Sequence, residues 1–147
     1  MSTPPLLDVA AVLRGRKILF IGSTGFVGKV ALAMLLDRYP DLQQLFVLVR
    51  PGAGSSSEER FFNKIVPSPV FDPLRDKYGE GTLDFLRDKC TPIAGDVGRP
   101  FCNFTDADFD KLGKLDAVVN VAGLVDFDPS LESAIRVNVL GTQHAMA

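Results

Sequence analysis

The segment Gly22-Ser23-Thr24-Gly25-Phe26-Val27-Gly28 limits what this chain can fold into more than any other stretch. It follows Lys17-Ile18-Leu19-Phe20-Ile21, a largely apolar run of the kind that forms a strand buried on both faces. After it, Val27, Val30, Ala31, Met34 and Leu35 recur at helical spacing, and Tyr39-Pro40 stops the helix. Leu45-Phe46-Val47-Leu48-Val49 is a second buried strand. Strand, glycine turn, helix and strand within residues 17–49 make a βαβ unit. In that setting three glycines three apart have separate tasks: Gly22 permits the tight turn, Gly25 lets backbone approach a phosphate, and Gly28 lets helix and strand pack closely. The helix N-terminus then offers unpaired N–H groups and partial positive charge to a dinucleotide's pyrophosphate, with the hydroxyls of Ser23 and Thr24 as further donors. The plainer alternative, a glycine turn that binds nothing, does not explain the flanking pattern.

The rest of the chain extends the unit. Residues 1–14 read as a lead-in with a short helical stretch at 6–13, and residues 15–147 as the N-terminal part of a dinucleotide-binding domain. Residues 51–90 exceed an ordinary strand-to-strand crossover and read as a helical insertion. Within it, helices are expected at 58–65, 73–78 and 83–89, with Pro67-Ser68-Pro69 as a break. Pro92-Ile93-Ala94-Gly95 is a weaker third strand. Thr105-Asp106-Ala107-Asp108 has capping-box spacing and opens a short helix that Gly113 stops. Ala117-Val118-Val119-Asn120-Val121 is a fourth strand, and 129–147 a helix. The expected fold is α/β, the N-terminal half of a Rossmann-type doubly wound parallel sheet in the order 3-2-1-4. The second half of such a sheet has not begun at residue 147, so the chain reads as the front of a longer enzyme whose catalytic remainder lies elsewhere. Within residues 1–147 alone the fourth strand would then be an exposed edge, and self-association of this 147-residue piece is expected.

Composition narrows the partners. A formal charge of -2 gives no footprint for nucleic acid. No apolar run approaches the ~20 residues of a membrane span, and the N-terminus lacks the basic-then-apolar order of an export signal. Cys90 and Cys102 have no metal-type spacing and read as free thiols, which points to the cytoplasm.

Two features discriminate among dinucleotide-binding chains. The spacing G-x-x-G-x-x-G resembles the extended branch of the short-chain dehydrogenase/reductase superfamily. The second strand ends Val49-Arg50-Pro51, and no acidic residue follows until Glu58. An acidic residue there would read the 2′-hydroxyl of NAD, whereas a guanidinium suits a 2′-phosphate. Arg50 therefore favours NADPH, with a solvated strand-end arginine as the alternative. The superfamily resemblance implies further cofactor contacts. Asp96 and Val97, in a Gly-Asp-hydrophobic triplet, would meet the adenine, although a loop-capping role for Asp96 stays open. Asn120, Ala122 and Gly123 resemble the superfamily's Asn-Asn-Ala-Gly segment, whose small residues let cofactor lie against backbone. Asn138, in Asn-Val-Leu-Gly-Thr, would help organise the catalytic region.

Together these motifs resemble the fatty acyl-CoA reductases and the related thioester reductase domains. The resemblance runs from Gly15 onward. It is carried by Gly25-Phe26-Val27-Gly28-Lys29-Val30, Phe46-Val47-Leu48-Val49-Arg50-Pro51, Glu58-Glu59-Arg60-Phe61, Phe71-Asp72-Pro73-Leu74, Pro92-Ile93-Ala94-Gly95-Asp96 and Val125-Asp126-Phe127-Asp128. Two departures stand out: Asn120-Val121-Ala122-Gly123 replaces the group's common His-x-Ala-Ala, and Asp126 stands where a basic or polar residue is frequent. The resemblance implies hydride transfer from NADPH to an acyl thioester, carried by CoA or a carrier protein, giving an aldehyde or alcohol. It also implies a Tyr-x-x-x-Lys pair, which this chain lacks: Tyr39 precedes Pro40, and Thr82, not lysine, stands four residues after Tyr78. His144, the one histidine, reads as structural or solvated. The alternatives are a sugar-nucleotide epimerase or dehydratase of the extended branch, and a non-catalytic NADP-binding regulator.

Overall fold

In the computed structural model, which describes residues 7–147, side chains alternating along the central strands divide the core into two layers. Residues 1–6, including the start of the expected 6–13 helix, lie outside the described residues; α1 (Val9–Leu13) is what is described of it. Then follow β1 (Lys17–Ile21), α2 (Phe26–Arg38) and β2 (Gln44–Val49). The insertion supplies α3 (Ser57–Arg60), α4 (Asp72–Tyr78) and α5 (Thr82–Lys89). The chain closes with β3 (Cys90–Ala94), α6 (Asp106–Leu112), β4 (Ala117–Asn120), α7 (Leu131–Ala134) and α8 (Leu140–Met146). All four strands are parallel, in the order β3-β2-β1-β4, the order expected for a Rossmann-type sheet.

One face of the sheet presents Ile18, Phe20, Leu45, Val47 and Val49 to α2 and the insertion. The other presents Leu19, Ile21, Phe46, Leu48 and Ile93 to Val97, Cys102 and Leu112, with Val137 and Ala145 packed against this layer. This period-two division is what a strand covered on both faces requires, and it explains why both central strands are apolar almost throughout.

Local differences from expectation have physical causes. The face that α2 buries is Gly28, Leu32, Ala33 and Leu36, while Val27 and Met34 are exposed. Most of α2 is apolar, so spacing alone could not select the buried stripe. β3 begins two residues before the expected Pro92 and ends before Gly95, with Cys90 beside Leu45 and Pro92 beside Val47. As an edge strand it tolerates a proline that lacks an N–H. The first insertion helix is opened by a capping box that the sequence reading missed, between Ser56 and Glu59. It continues as a π-helical turn (Phe61–Ile65) that buries Phe61, Phe62 and Ile65. The expected box at Thr105 and Asp108 is present with both bonds, and Gly113 ends α6 at φ +56°. A second π-helical turn (Ile135–Val139) joins α7 to α8.

Candidate functional site

A cleft of about 300 Å³ opens where the carboxyl ends of all four strands converge. That is the position at which open α/β sheets bind ligands. Of the residues expected to meet a cofactor, Gly22, Thr24, Gly25, Arg50, Asp96, Val97, Ala122 and Gly123 line it together.

The three glycines of the loop are under different constraints. Gly22 has φ +102°, and a Cβ on it would stand 2.6 Å from the Ala122 amide nitrogen. A Cβ on Gly28 would stand 1.9 Å from the Gly22 carbonyl oxygen. Both are required by packing of backbone on backbone. Gly25 is different: its φ is -79°, and an added Cβ would meet only the Gly22 oxygen, at 3.6 Å. The fold itself places no demand for glycine there. Gly25 is also the N-cap of α2 and has no side chain to accept from the first turn. Among the described residues no acceptor is found for the amides of Phe26, Val27 and Gly28, the first-turn donors of α2.

Other expected residues are placed differently. Ser23 is fully buried beneath the loop, and its hydroxyl, which has no partner among the described residues, does not line the cleft. Of the two hydroxyl residues expected at the loop, Thr24 alone lines the cleft. Phe26 and Val27 are 78% and 65% exposed and stand outside the cleft lining. Asn120 accepts from the Ala122 amide at 3.0 Å and donates to the Thr142 hydroxyl at 3.4 Å. Asn138 clasps Leu124 from both sides: its Oδ1 accepts from the Leu124 N–H at 2.7 Å and its Nδ2 donates to the Leu124 carbonyl at 3.2 Å. Both asparagines shape the β4 end of the cleft.

On the opposite wall, Asp96 Oδ2 stands 4.0 Å from Arg50 Nη1 while Oδ1 accepts from the Gly98 N–H at 2.9 Å. Asp96 therefore does cap its loop and still faces the cleft. That loop is folded back tightly: the Asp96 amide donates to the Cys102 carbonyl at 2.8 Å, and Phe101, Cys102 and Asn103 all take positive φ. His144 contacts the Val97 carbonyl through Nδ1 at 3.0 Å, which ties α8 to the same loop. The Arg60 guanidinium donates to the Arg50 carbonyl at 2.7 Å and braces the end of β2.

Sequence reading did not single out Leu124, Ser133, Arg136 or Val137, which complete the lining. The spacing 133, 136, 137 is one face of a helix, a signal that could have found the last three. Neither tyrosine reaches the cleft: Tyr39 packs against the core, and Tyr78 stacks on Phe85 with ring centroids 4.2 Å apart. Burial pushes the Cys90 thiol up to about 12 and the Cys102 thiol up to about 11, so neither is a thiolate near neutral pH.

A parallel sheet in this order, a glycine loop entering a helix, and a cleft across the strand ends define a Rossmann-type domain of the extended short-chain dehydrogenase/reductase kind. Residues 21–147 match the NAD-binding family described as male sterility protein, and the chain belongs to that family. It is 32% identical over 139 residues to fatty acyl-CoA reductase 1 of Mus musculus, a match covering 94% of this chain and 26% of the relative. It is 25% identical over 141 residues to the chloroplastic fatty acyl-CoA reductase 2 of Arabidopsis thaliana, covering 95% of this chain and 23% of the relative. Among solved structures it is similar to the terminal R domain of the myxalamid PKS-NRPS biosynthetic pathway. There the TM-score is 0.67 and the identity 30%, over 89% of this chain and 30% of that one. The chain thus spans about a quarter of the length of the curated relatives it matches.

Proposed function

We propose that this chain forms the dinucleotide-binding part of an NADPH-dependent reductase of fatty acyl thioesters, taking acyl-CoA or acyl-carrier protein to aldehyde or alcohol. The observation that carries the reading is Gly25: the fold leaves room for a side chain there, and the unmet amides of Phe26, Val27 and Gly28 stand beside it. A glycine that packing does not demand, at a helix N-terminus with open donors, fits a pyrophosphate against the backbone. Bound NADPH would supply hydride to the thioester carbonyl. In this reading Thr24 adds a hydroxyl at the phosphates, Arg50 pairs with the 2′-phosphate, and Asp96 with Val97 meets the adenine. Ala122 and Gly123 keep the β4 wall low, and Asn120 and Asn138 hold that wall in place. The identity to fatty acyl-CoA reductases supports the choice of an acyl thioester as substrate. With neither tyrosine at the cleft, the Tyr-x-x-x-Lys pair is proposed to lie outside these 147 residues. The buried free thiols suit the reducing cytoplasm in which we place the protein.

The test has two parts. The full-length protein given NADPH and a long-chain acyl-CoA should oxidise the cofactor and release CoA; absence of both overturns the substrate assignment. In titrations, Arg50→Ala should weaken NADPH binding roughly 10- to 100-fold, the effect of losing one or two charged hydrogen bonds in a partly exposed site. NADH affinity should stay unchanged. Equal losses for both cofactors would make Arg50 a structural residue, and a wild type that prefers NADH would overturn the choice of NADPH.

A further inference from the structure

Arg136 brings a second guanidinium to the cleft, beside Arg50 and apart from the contacts proposed for the loop, Asp96 and the β4 wall. It stands on the π-helical turn between α7 and α8, with Ser133 and Val137 on the same wall. Its stem lies over Gly98: a Cβ built on that glycine would be 3.5 Å from Arg136 Cγ and 3.7 Å from Nε. Gly98 is also the residue whose N–H holds Asp96 Oδ1. Arg136 therefore rests on the very turn that presents Asp96 to the cleft, while Arg50 reaches Asp96 from its other oxygen. Among the described residues no carboxylate lies within 4.0 Å of Arg136, whereas Arg50 has Asp96. An exposed guanidinium, held by its stem and engaged in no ion pair, can present its flat face to an aromatic ring.

We propose that Arg136 forms one wall of the adenine subsite and stacks its guanidinium plane on the purine base. The inference rests on the dinucleotide reading and deepens it. The unmet amides of α2 take the pyrophosphate and Arg50 takes the ribose phosphate, which leaves the base for the Asp96–Gly98 turn. Arg136 packs by its stem on that turn, whereas Arg50 meets it only through its ion pair with Asp96. The ligand of Arg136 is thus the part of the cofactor that NADPH and NADH share.

Titrations of NADPH, NADH and ADP against wild type, Arg136→Ala and Arg136→Lys test this, with thermal melts to confirm that each variant folds. Arg136→Ala should weaken all three ligands by a common factor of about 2- to 30-fold, the range of a cation–π contact from exposed to desolvated. Arg136→Lys, which keeps charge but loses the plane, should recover only part of the loss. Weakened NADPH with unchanged NADH and ADP would assign Arg136 to the 2′-phosphate and overturn the stacking role. Unchanged affinities for all three, in a variant that folds and with a wild type that binds NADPH, would overturn this inference and leave the proposed function standing. A folded wild type that binds none of the three would overturn both.

Discussion

At one edge of the sheet, β3 is flanked by the insertion and carries Pro92, which has no N–H to offer another strand; at the other edge, β4 carries no proline and leaves Ala117 and Val118 exposed. Among the described residues β4 pairs only with β1. Both edges come from apolar sequence, so the difference lies in what packs on them. The insertion contributes Phe61, Phe62, Ile65, Val66, Phe71, Leu74 and Leu86 to the larger core layer, where they meet Ile18, Phe20, Leu45 and Val47. It is thus a structural wall of the domain. The β4 edge is covered less fully: α8 packs on it, yet Val118 is 41% exposed and Val119 only partly buried.

The sharpest way to break this contrast is to remove one large side chain from each edge. Phe71→Ala, at a fully buried insertion position, should cost about 3–5 kcal/mol of unfolding free energy, the usual range for losing a buried phenyl ring. Val118→Lys should change stability by less than ~0.5 kcal/mol. The same change should lower self-association, because a lysine on an open edge discourages further pairing. Urea melts and sedimentation velocity report the two quantities. A 147-residue piece that sediments as a monomer at high concentration removes the case for an adhesive β4 edge. A Phe71→Ala variant as stable as wild type removes the case for the insertion as a wall.

A second test lies within the glycine loop, between a residue the fold needs and one it does not. Gly28→Ala would put a Cβ 1.9 Å from a backbone oxygen, so backbone must move, and the loss should reach or exceed the ~1–3 kcal/mol of an overpacked site. Gly25→Ala should alter stability by less than ~1 kcal/mol, since a lower unfolded-state entropy opposes a poorer N-cap. Gly25→Val should abolish cofactor binding while the far-ultraviolet circular dichroism stays near that of wild type. Undiminished NADPH affinity in Gly25→Val would reduce the loop to a turn.

That pair also marks how far sequence could lead. Strand order, the glycine loop and the Thr105 box depend on local chemistry: apolar runs bounded by glycine, and a hydroxyl three residues before a carboxylate. These were legible. The buried face of α2 was not, because Val27 and Leu32 are equally apolar and only the position of the sheet decides between them. Arg136 was missed for a related reason. Helical spacing puts it on one face with Ser133 and Val137, but only the fold carries that face across to the β3 turn, where Gly98 leaves room for its stem. The Phe101–Asn103 turn was equally unreadable, since three successive non-glycine residues at positive φ run against local preference. They hold there because the Cys102 carbonyl accepts from Asp96 and the Cys102 side chain is buried in the second core layer.

A third test uses the thiols. Cys90 belongs to the walled layer, where burial alone pushes it up to about 12 from 9.0. Its folded value lies above its unfolded one, so the native state holds the proton longer. Stability should fall as pH rises from about 9 towards 12, and native Cys90 should resist alkylation at pH 8. Alkylation of both thiols should track unfolding. Fast labelling of Cys90 in folded protein would show that the insertion wall opens locally.

The smallest effect expected concerns what fastens the open edge. Just before β4, Asp116 accepts from the Lys17 N–H at 2.8 Å through Oδ2 and from Arg16 Nη1 at 2.9 Å through Oδ1, which ties the start of β4 to the start of β1. The Lys17 amide first, then Arg16, holds the Asp116 carboxyl below its ordinary 3.8. A depressed folded value means that the ionised form supports the fold. Its contribution is complete well above 3.8 and disappears as pH falls through the lower folded value. Asp116→Asn keeps an acceptor for the Lys17 amide but loses the charge, so the variant should melt slightly below wild type at pH 7. Solvent reaches the pair, so the difference should also shrink in high salt. As pH falls below about 3.8 the two urea midpoints should converge, because protonated aspartic acid and asparagine are then alike in charge. A gap that persists unchanged into that acid range would mean that shape, not ionisation, fastens β4. A gap absent already at pH 7 would mean that strand pairing alone holds the edge.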